Sequence, residues 1–467
     1  MKFSNKIAAM SLVVAFSATT TGCHIYKKFD MPESSAVTAE YVEAQSQPVD
    51  STALGNLPWQ QVFIDPVLQD IIGQALDNNV DLKNAKLNID VAHANMLGAR
   101  LSYLPSVVLS PNAGISRSSI KGTSWSEWTY QIPLSVSWEI DVFGKTLNAK
   151  RSAEATYQQS KDYEQAVRSQ IIGAVANCYY AISSIEGQLD LQRQTAQNWE
   201  KSVQMMKDVW EAGNTTAAAV FQSTAQYESI LASIADLETS LHEMNNTMSL
   251  LVGVMPQTWA IPAAQSMSLP AEYNAGVPMV ALANRPDVRA QERSLAVAYY
   301  ATNSARAAFY PSLSISPVGG FTNSLGSTVF NPGKWFINLA GQLTAPLFMR
   351  GQNIARLKAA KAQQEQSLNS FENTLMKASA EVGSALVTYN NAVAKESHLA
   401  GQVENLVKAV DVTETLFLHS ATNYNTTYLE VITAQQNLLG AQMNFLNCQL
   451  SRSQAAINLY QSLGGGR

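Results

Sequence analysis

Two long stretches lack proline: none occurs between Pro133 and Pro256, and none after Pro346. Nothing there forces a helix to stop, so both stretches admit helices far longer than the usual three or so turns. Charge is scarce at 14% against 46% hydrophobic residues, which excludes wholesale disorder. A net charge of -5 excludes a basic nucleic-acid footprint. The three cysteines, Cys23, Cys178 and Cys448, are too far apart for metal-ligand spacing. Cys178 and Cys448 fall in helical stretches and read as small buried apolar residues. Five histidines are scattered, and no nucleophile elbow, phosphate loop or metal motif is present, so neither catalysis nor a cofactor is expected. Met205, Met206, Met244, Met248 and Met255 read as core filling at helical spacing. Beyond the N-terminus no apolar run approaches the ~20 residues of a spanning helix. Any membrane crossing therefore falls to β-strands.

The N-terminus reads as an export signal over residues 1–22: Lys2 and Lys6, then an apolar run from Ile7 to Ala18. Thr20-Thr21-Gly22-Cys23 resembles the lipobox of bacterial lipoproteins, with Thr20 where Leu is usual. A covalent lipid on Cys23 is expected, and His24, in place of the usual inner-membrane retention Asp, points to the outer membrane.

The chain is written twice. At an offset of 206, Asp81 meets Asp287, Ala99-Arg100 meets Ala305-Arg306, Pro105 meets Pro311, Pro111 meets Pro317 and Gly114 meets Gly320. Phe143-Gly144-Lys145 faces Met349-Arg350-Gly351-Gln352, and Asn214-Thr215-Thr216 faces Asn425-Thr426-Thr427 at offset 211. The division is a lipidated segment 23–64, a first repeat 65–255, a linker 256–284, and a second repeat with the C-terminus, 285–467. Each repeat predicts the same order. In the first, a helix of about 40 residues runs from Pro66 until Pro105 stops it. Strands follow near 106–117 and 127–140, then a helix to about Ala212, a turn at Gly213-Asn214-Thr215, and a helix to Val252. The long helix measures on the order of 100 Å.

The long helices are patterned as coiled coils. Ile171, Val175, Cys178, Ile182, Ile185 and Leu189 alternate by four and three, continuing through Ala196, Trp199, Val203, Met206 and Trp210 with a break at Gln192. Leu375, Ala378, Val382, Ala385, Tyr389 and Ala392 do the same in the second copy, resuming at Leu399, Val403, Leu406, Val410 and Phe417. Such a period wraps helices around partners.

The strands point to a membrane. Tyr130, Ile132, Leu134, Val136 and Trp138 alternate with Gln131, Pro133, Ser135 and Ser137; Ile337, Leu339, Leu343 and Ala345 alternate with Asn338, Gln342 and Thr344. Their partners carry Val107, Leu109, Ala113 and Ile115, then Leu313, Ile315 and Phe321. These runs have the length of tilted membrane strands, with Trp125, Trp128, Trp138, Trp335 and Phe336 suited to the interfaces. One chain supplies about four strands, whereas closed barrels need about eight or more. Several chains must share one wall.

Leu57-Pro58-Trp59-Gln60-Gln61-Val62-Phe63 with Asp65-Pro66, Ser137 to Gly144, Arg285-Pro286-Asp287, Phe309-Tyr310-Pro311-Ser312, Tyr428-Leu429-Glu430-Val431 and Leu463-Gly464-Gly465-Gly466 together resemble the TolC superfamily of outer-membrane factors, in its lipoprotein branch. The resemblance runs from about Leu57 to Gly466. It implies a mainly α protein with membrane β: a homotrimer whose four strands per protomer form a twelve-stranded transmembrane barrel above a long coiled-coil α-barrel in the periplasm. It implies the exit channel of a tripartite efflux pump for drugs or other toxic small molecules, working with a periplasmic adaptor and an inner-membrane transporter of RND or other type. The adaptor would meet the turns at Gly213, Asn214, Thr215, Asn425 and Thr426. Glu430 would supply a carboxylate ring at the gate, with Tyr424 where glycine is usual, Thr433 where a second acid is common, and Ala219 matching Glu430 in the first copy. A type I protein-secretion duct and a non-channel coiled-coil lipoprotein are the alternatives.

Overall fold

The computed structural model describes residues 26–33, 35–47, 54–120, 123–213, 215–267, 269, 279–322, 335–418 and 427–466. Cys23, Asn214, Tyr424, Asn425 and Thr426 lie outside the described residues, as do the side chains of Trp125 and Trp128. Among the described residues the order starts with α1 (Ala36–Gln45) and α2 (Trp59–Val62), and continues with α3 (Pro66–Asn78), α4 (Val80–Leu101), β1 (Ser106–Leu109), β2 (Asn112–Ile120), β3 (Thr123–Ile140), α5 (Lys145–Glu211) and α6 (Ala217–Val252). The second copy runs α7 (Met279–Ala283), α8 (Pro286–Ala307), β4 (Ser312–Thr322), β5 (Trp335–Thr344), α9 (Gln352–Leu418) and α10 (Tyr428–Ser462). α5 and α9 each have 67 residues.

The expected 40-residue helix from Pro66 is two helices. Asn79 breaks it with an extended backbone (φ -56°, ψ 132°). Its side-chain oxygen accepts from the N–H groups of Asp81 (2.9 Å) and Leu82 (3.1 Å), capping α4. The break recurs at the matching place in the second copy, where Pro286 opens α8.

The first expected strand is also split. Pro111 and Pro133 stand on neighbouring rows of one strand pair and remove two ladder donors, so β1 and β2 pair β3 above and below a gap at Ser110–Pro111 without a change of register. β3 is longer than expected, at 18 residues.

The chain divides into two units. One comprises Met1–Pro32, Asn88–Ser160 and Ala290–Phe371. It holds the sheet, the helix ends attached to it, and the segment from Tyr26 to Pro32. That segment is docked: Arg151 Nη1 donates to the carbonyls of Tyr26 (3.1 Å) and Lys27 (3.2 Å), and the Phe29 N–H donates to the Tyr300 hydroxyl at 3.0 Å. Gly144, at φ +71°, turns β3 into α5, and a Cβ there would crowd the Tyr26 ring at 3.1 Å.

The other unit comprises Glu33–Leu87, Lys161–Arg289 and Glu372–Arg467. Its core runs through Leu68, Ile72, Ile172, Val175, Tyr179, Met248 and Tyr460. The heptad positions Ile171, Val175, Cys178, Ile182, Leu189, Ala196, Trp199, Val203 and Met206 are buried as expected, and Ile185 is half-buried. Trp210 departs from the series and is exposed next to the turn. The break residue Gln192 is buried, its amide donating to Ser233 Oγ at 3.4 Å. Leu375, Ala378, Val382, Tyr389 and Ala392 are buried, but Ala385, Leu399, Val403, Leu406, Val410 and Phe417 are only half-buried. Cys178 and Cys448 are buried free thiols, and burial pushes the Cys178 thiol up to about 11. Met206 and Met248 are fully buried, whereas Met205 and Met255 are exposed.

Candidate functional site

The sheet has four lanes, in the order β1 with β2, then β3, β4 and β5, all antiparallel. Residues directly opposite in such a ladder share a face, so the register assigns every side to one of two surfaces. Leu109 faces Leu134, which faces Gly319, which faces Ile337. Val107 faces Val136, Ile132 faces Phe321, Trp138 faces Ile315, Pro317 faces Leu339, and Leu313 faces Leu343. All the strand positions singled out from sequence, Tyr130, Ile132, Leu134, Val136, Trp138, Ile337, Leu339 and Leu343, fall on this one apolar surface. The opposite surface carries Gln131, Ser135, Ser137, Ser314, Ser316, Asn338 and Gln342. Leu339 is 73% exposed and Ile337 71%. A soluble hairpin would bury that face; here nothing among the described residues covers it.

The β3–β4 pairing runs on β3 from Gln131 to Ile140, about ten residues, which is the length a tilted strand needs to cross hydrocarbon. Aromatic residues stand at both ends of its apolar face. Trp335 pairs with Phe321 at one end. At the other, the Trp138 indole N–H donates to the carbonyl of Tyr103 at 2.9 Å, and Phe143 stacks on Tyr310 with centroids 4.9 Å apart. Amphipathic rings at these levels suit membrane interfaces. Phe336 is the exception to the expected girdle. It pairs with Gly320, in the phase of the polar surface.

At the helical turns, Gly213 takes φ +78° after α5, as expected of a helix-ending glycine. The ends of α5, α6 and α10 pack through Trp199, Met206, Val220, Ile230, Tyr428, Val431 and Ile432, and Phe417 of α9 packs against them. Ser223 donates to the Tyr428 hydroxyl at 3.0 Å, and burial raises the Tyr428 phenol above its usual range against that bond. Glu430 is exposed, and its carboxylate accepts from the Thr427 N–H at 3.2 Å, forming a capping box at the start of α10. Sequence reasoning missed this local role, although Thr427 followed three residues later by Glu430 is its signature. Thr433 is exposed, its hydroxyl donating to the Leu429 carbonyl at 2.7 Å. Trp210, Phe221 and Leu429 are exposed apolar side chains beside these turns.

A sequence model of the family described as outer membrane efflux protein matches residues 71–254 and 277–465, once for each copy. SilC of Salmonella typhimurium, a probable outer membrane lipoprotein, is 28% identical over 416 residues, covering 87% of this chain and 88% of SilC. CusC of Escherichia coli strain CFT073, a cation efflux system protein, is 28% identical over 456 residues, covering 96% of each chain. A crystal structure of CusC, in which conformational changes accompany folding and transmembrane channel formation, superposes with a TM-score of 0.81 at 26% identity over 94% of this chain and 98% of that one. With both copies matched and the two-faced sheet in place, this chain belongs to the outer membrane efflux protein family, whose members are outer-membrane channels and not enzymes.

Proposed function

We propose that three copies of this chain join their sheets edge to edge into one twelve-stranded barrel, and that the trimer is the exit channel of a tripartite efflux pump passing drugs or other toxic small molecules. One observation carries this reading: the sheet has an apolar face, a polar face and two open edges. Among the described residues, β1 and β2 pair only with β3, and β5 pairs only with β4. Unpaired strand edges are not tolerated in hydrocarbon, and four lanes are too few to enclose water. Copies of the same chain satisfy both demands, with Ser135, Asn338 and Gln342 lining a wet lumen. The half-buried stripe from Leu399 to Phe417 gives a second surface for a neighbouring copy to cover.

The remaining roles follow from that assembly. Gly213, Asn214, Thr215, Asn425 and Thr426 meet a periplasmic adaptor, and exposed Trp210, Phe221 and Leu429 offer it apolar area. The adaptor couples the channel to an inner-membrane transporter, RND-type or other, which supplies the energy. Glu430, Tyr424 and Thr433 shape the gate, and Cys23 carries the lipid, a reading that the lipoprotein name of SilC supports. The polar surface is mostly uncharged, with Glu139 opposite Ser314 and held 3.0 Å from Lys145, which suits neutral and weakly charged cargo. A cation cargo, the class in the name of CusC, is the second reading, favoured by the three Glu430 carboxylates a trimer brings together.

Purified protein should run as a trimer and conduct in planar bilayers. A strain without the gene should become sensitive to drugs or solvents with its secreted proteins unchanged. Loss of secreted proteins instead would favour a secretion duct, and a trimer that never conducts would leave a structural rod.

A further inference from the structure

Five cationic side chains, Lys28, Arg100, Lys150, Arg151 and Arg293, line one cleft of about 790 Å³ in the sheet-bearing unit, together with His93. Glu154 is the single carboxylate among the described residues lining it. The imbalance stands against a chain whose net charge is -5. Glu154 offsets part of it, lying 3.2 Å from Arg100 and 3.9 Å from Lys150, and Glu292 lies 3.9 Å from Arg293; Lys28 and Arg151 complete the excess. Lys28 is exposed, on the docked segment that Arg151 ties down.

The cleft sits at a defined depth. Arg100 lies in the last turn of α4, just before β1 begins at Ser106. Lys150 and Arg151 lie in the second turn of α5, whose first residue follows the end of β3 by five positions. At 1.5 Å per helical residue the backbones of these cations stand roughly 10 Å below the strands, and Lys and Arg side chains are long enough to span back to the headgroup layer. The apolar sheet face ends at Trp138 and Ile140, and a headgroup layer of roughly 5–8 Å begins where hydrocarbon ends. Phe29, Met96 and Leu147 supply an apolar wall to the same cleft.

We propose that this cleft binds the phosphate of an anionic glycerophospholipid from the periplasmic leaflet, with the acyl chains lying against the apolar face of the sheet. The proposal rests on the sheet crossing the outer membrane. Positive side chains at headgroup level attract anionic lipid additively, and a partly desolvated cleft is screened by salt less than an open surface is. The site selects charge and depth: it takes a phosphate held at the interface by its own hydrocarbon tails.

The test uses the full chain, reconstituted into vesicles of phosphatidylcholine with or without phosphatidylglycerol, and lipid retention after extraction is measured by native mass spectrometry. The intact protein should retain phosphatidylglycerol over phosphatidylcholine, with inorganic phosphate at matched concentration failing to displace it. Lys28→Gln with Arg100→Gln and Lys150→Gln should lower that preference by about tenfold or more. The control Lys201→Gln with Lys207→Gln and Lys408→Gln, which removes as much charge elsewhere, should not. If the triple cleft variant fails to fold, Lys28→Gln alone, on an exposed side chain, should still weaken retention measurably. Equal retention of both lipids, equal loss in the control, or displacement by inorganic phosphate would overturn the proposal. Failure to insert into any vesicle would instead overturn the membrane reading beneath it.

Discussion

The Asn79 side-chain amide donates to the main-chain carbonyl of Leu251 at 2.8 Å, tying the helix break before α4 to the C-terminal end of α6. The second copy repeats this with different chemistry. Arg285, 206 positions later, donates from Nη1 to the carbonyl of Ser462 at 3.0 Å, and Ser462 stands 211 positions after Leu251. The glycines that follow, Gly253 and Gly464, take φ of +78° and +87°. Each copy thus closes by pinning its helix break to the last turn of its final helix. Asn79 is 6% exposed. Asn79→Ala leaves the α4 N–H groups and a partly buried carbonyl without these partners, and should cost about 1–3 kcal/mol. The check is a lowered thermal midpoint with unchanged helical content.

The Arg285 side of this device should respond to acid. Burial works to raise the Asp287 carboxyl, but the two bonds from the Arg285 guanidinium (3.1 and 2.8 Å), its charge and the Val288 N–H prevail and hold it below the usual carboxylate range. A lowered folded value adds stability that is present above the unfolded value of about 4 and is lost as pH falls through the folded one. Asp287→Asn should therefore be less stable than the parent at pH 6, with the gap closing towards pH 3. A gap that stayed constant on acidification would rule this linkage out.

Two glycines in the sheet should behave oppositely. A Cβ on Gly320 would stand 2.2 Å from the Ile132 carbonyl oxygen, so Gly320→Ala must push β3 and β4 apart. Gly341 has nothing within 4 Å of its Cβ position. Gly320→Ala should sharply reduce the yield of membrane-inserted trimer, and Gly341→Ala should leave it within the scatter of the parent.

The two faces of β5 make the membrane reading quantitative. Leu339→Arg places a charge on the apolar surface and should cost about 2–4 kcal/mol per chain if that surface meets hydrocarbon. Gln342→Arg, three residues along on the other surface, should assemble normally and alter single-channel conductance. Equal assembly of the two variants would mean the face assignment is wrong.

Glu430 has a local and a proposed role, and substitutions separate them. Glu430→Gln keeps an acceptor for the Thr427 N–H while removing charge. It should shift the cation selectivity of the channel with little change in thermal stability. Glu430→Ala should add a loss of about 0.5–2 kcal/mol from the weakened cap. Unchanged reversal potentials in both variants would remove Glu430 from the gate.

Local periodicity made much of this molecule legible. The 3.5-residue spacing from Ile171 to Met206 predicted the buried stripe of α5, and the strict alternation from Tyr130 to Trp138 predicted the apolar face of β3. Absence of proline predicted α5 and α9, and the internal repeat predicted that the elements come twice. Asn79 was not legible, because an asparagine ends a helix only when something holds its side chain, and Leu251 lies 172 residues away. Its counterpart was in plain view at Pro286, one position past Arg285.

The amino-acid order by itself determined which segments are helical and which face of each strand is apolar, because both depend on neighbours within a turn or a pleat. Only the tertiary structure decided where the elements stop and which of their residues are covered. Trp210 stayed exposed because it stands in the last turn of α5, where the helix ends. Pro111 split a strand because Pro133 stood on the neighbouring row. Those outcomes belong to pairings between distant segments, and no local pattern encodes them.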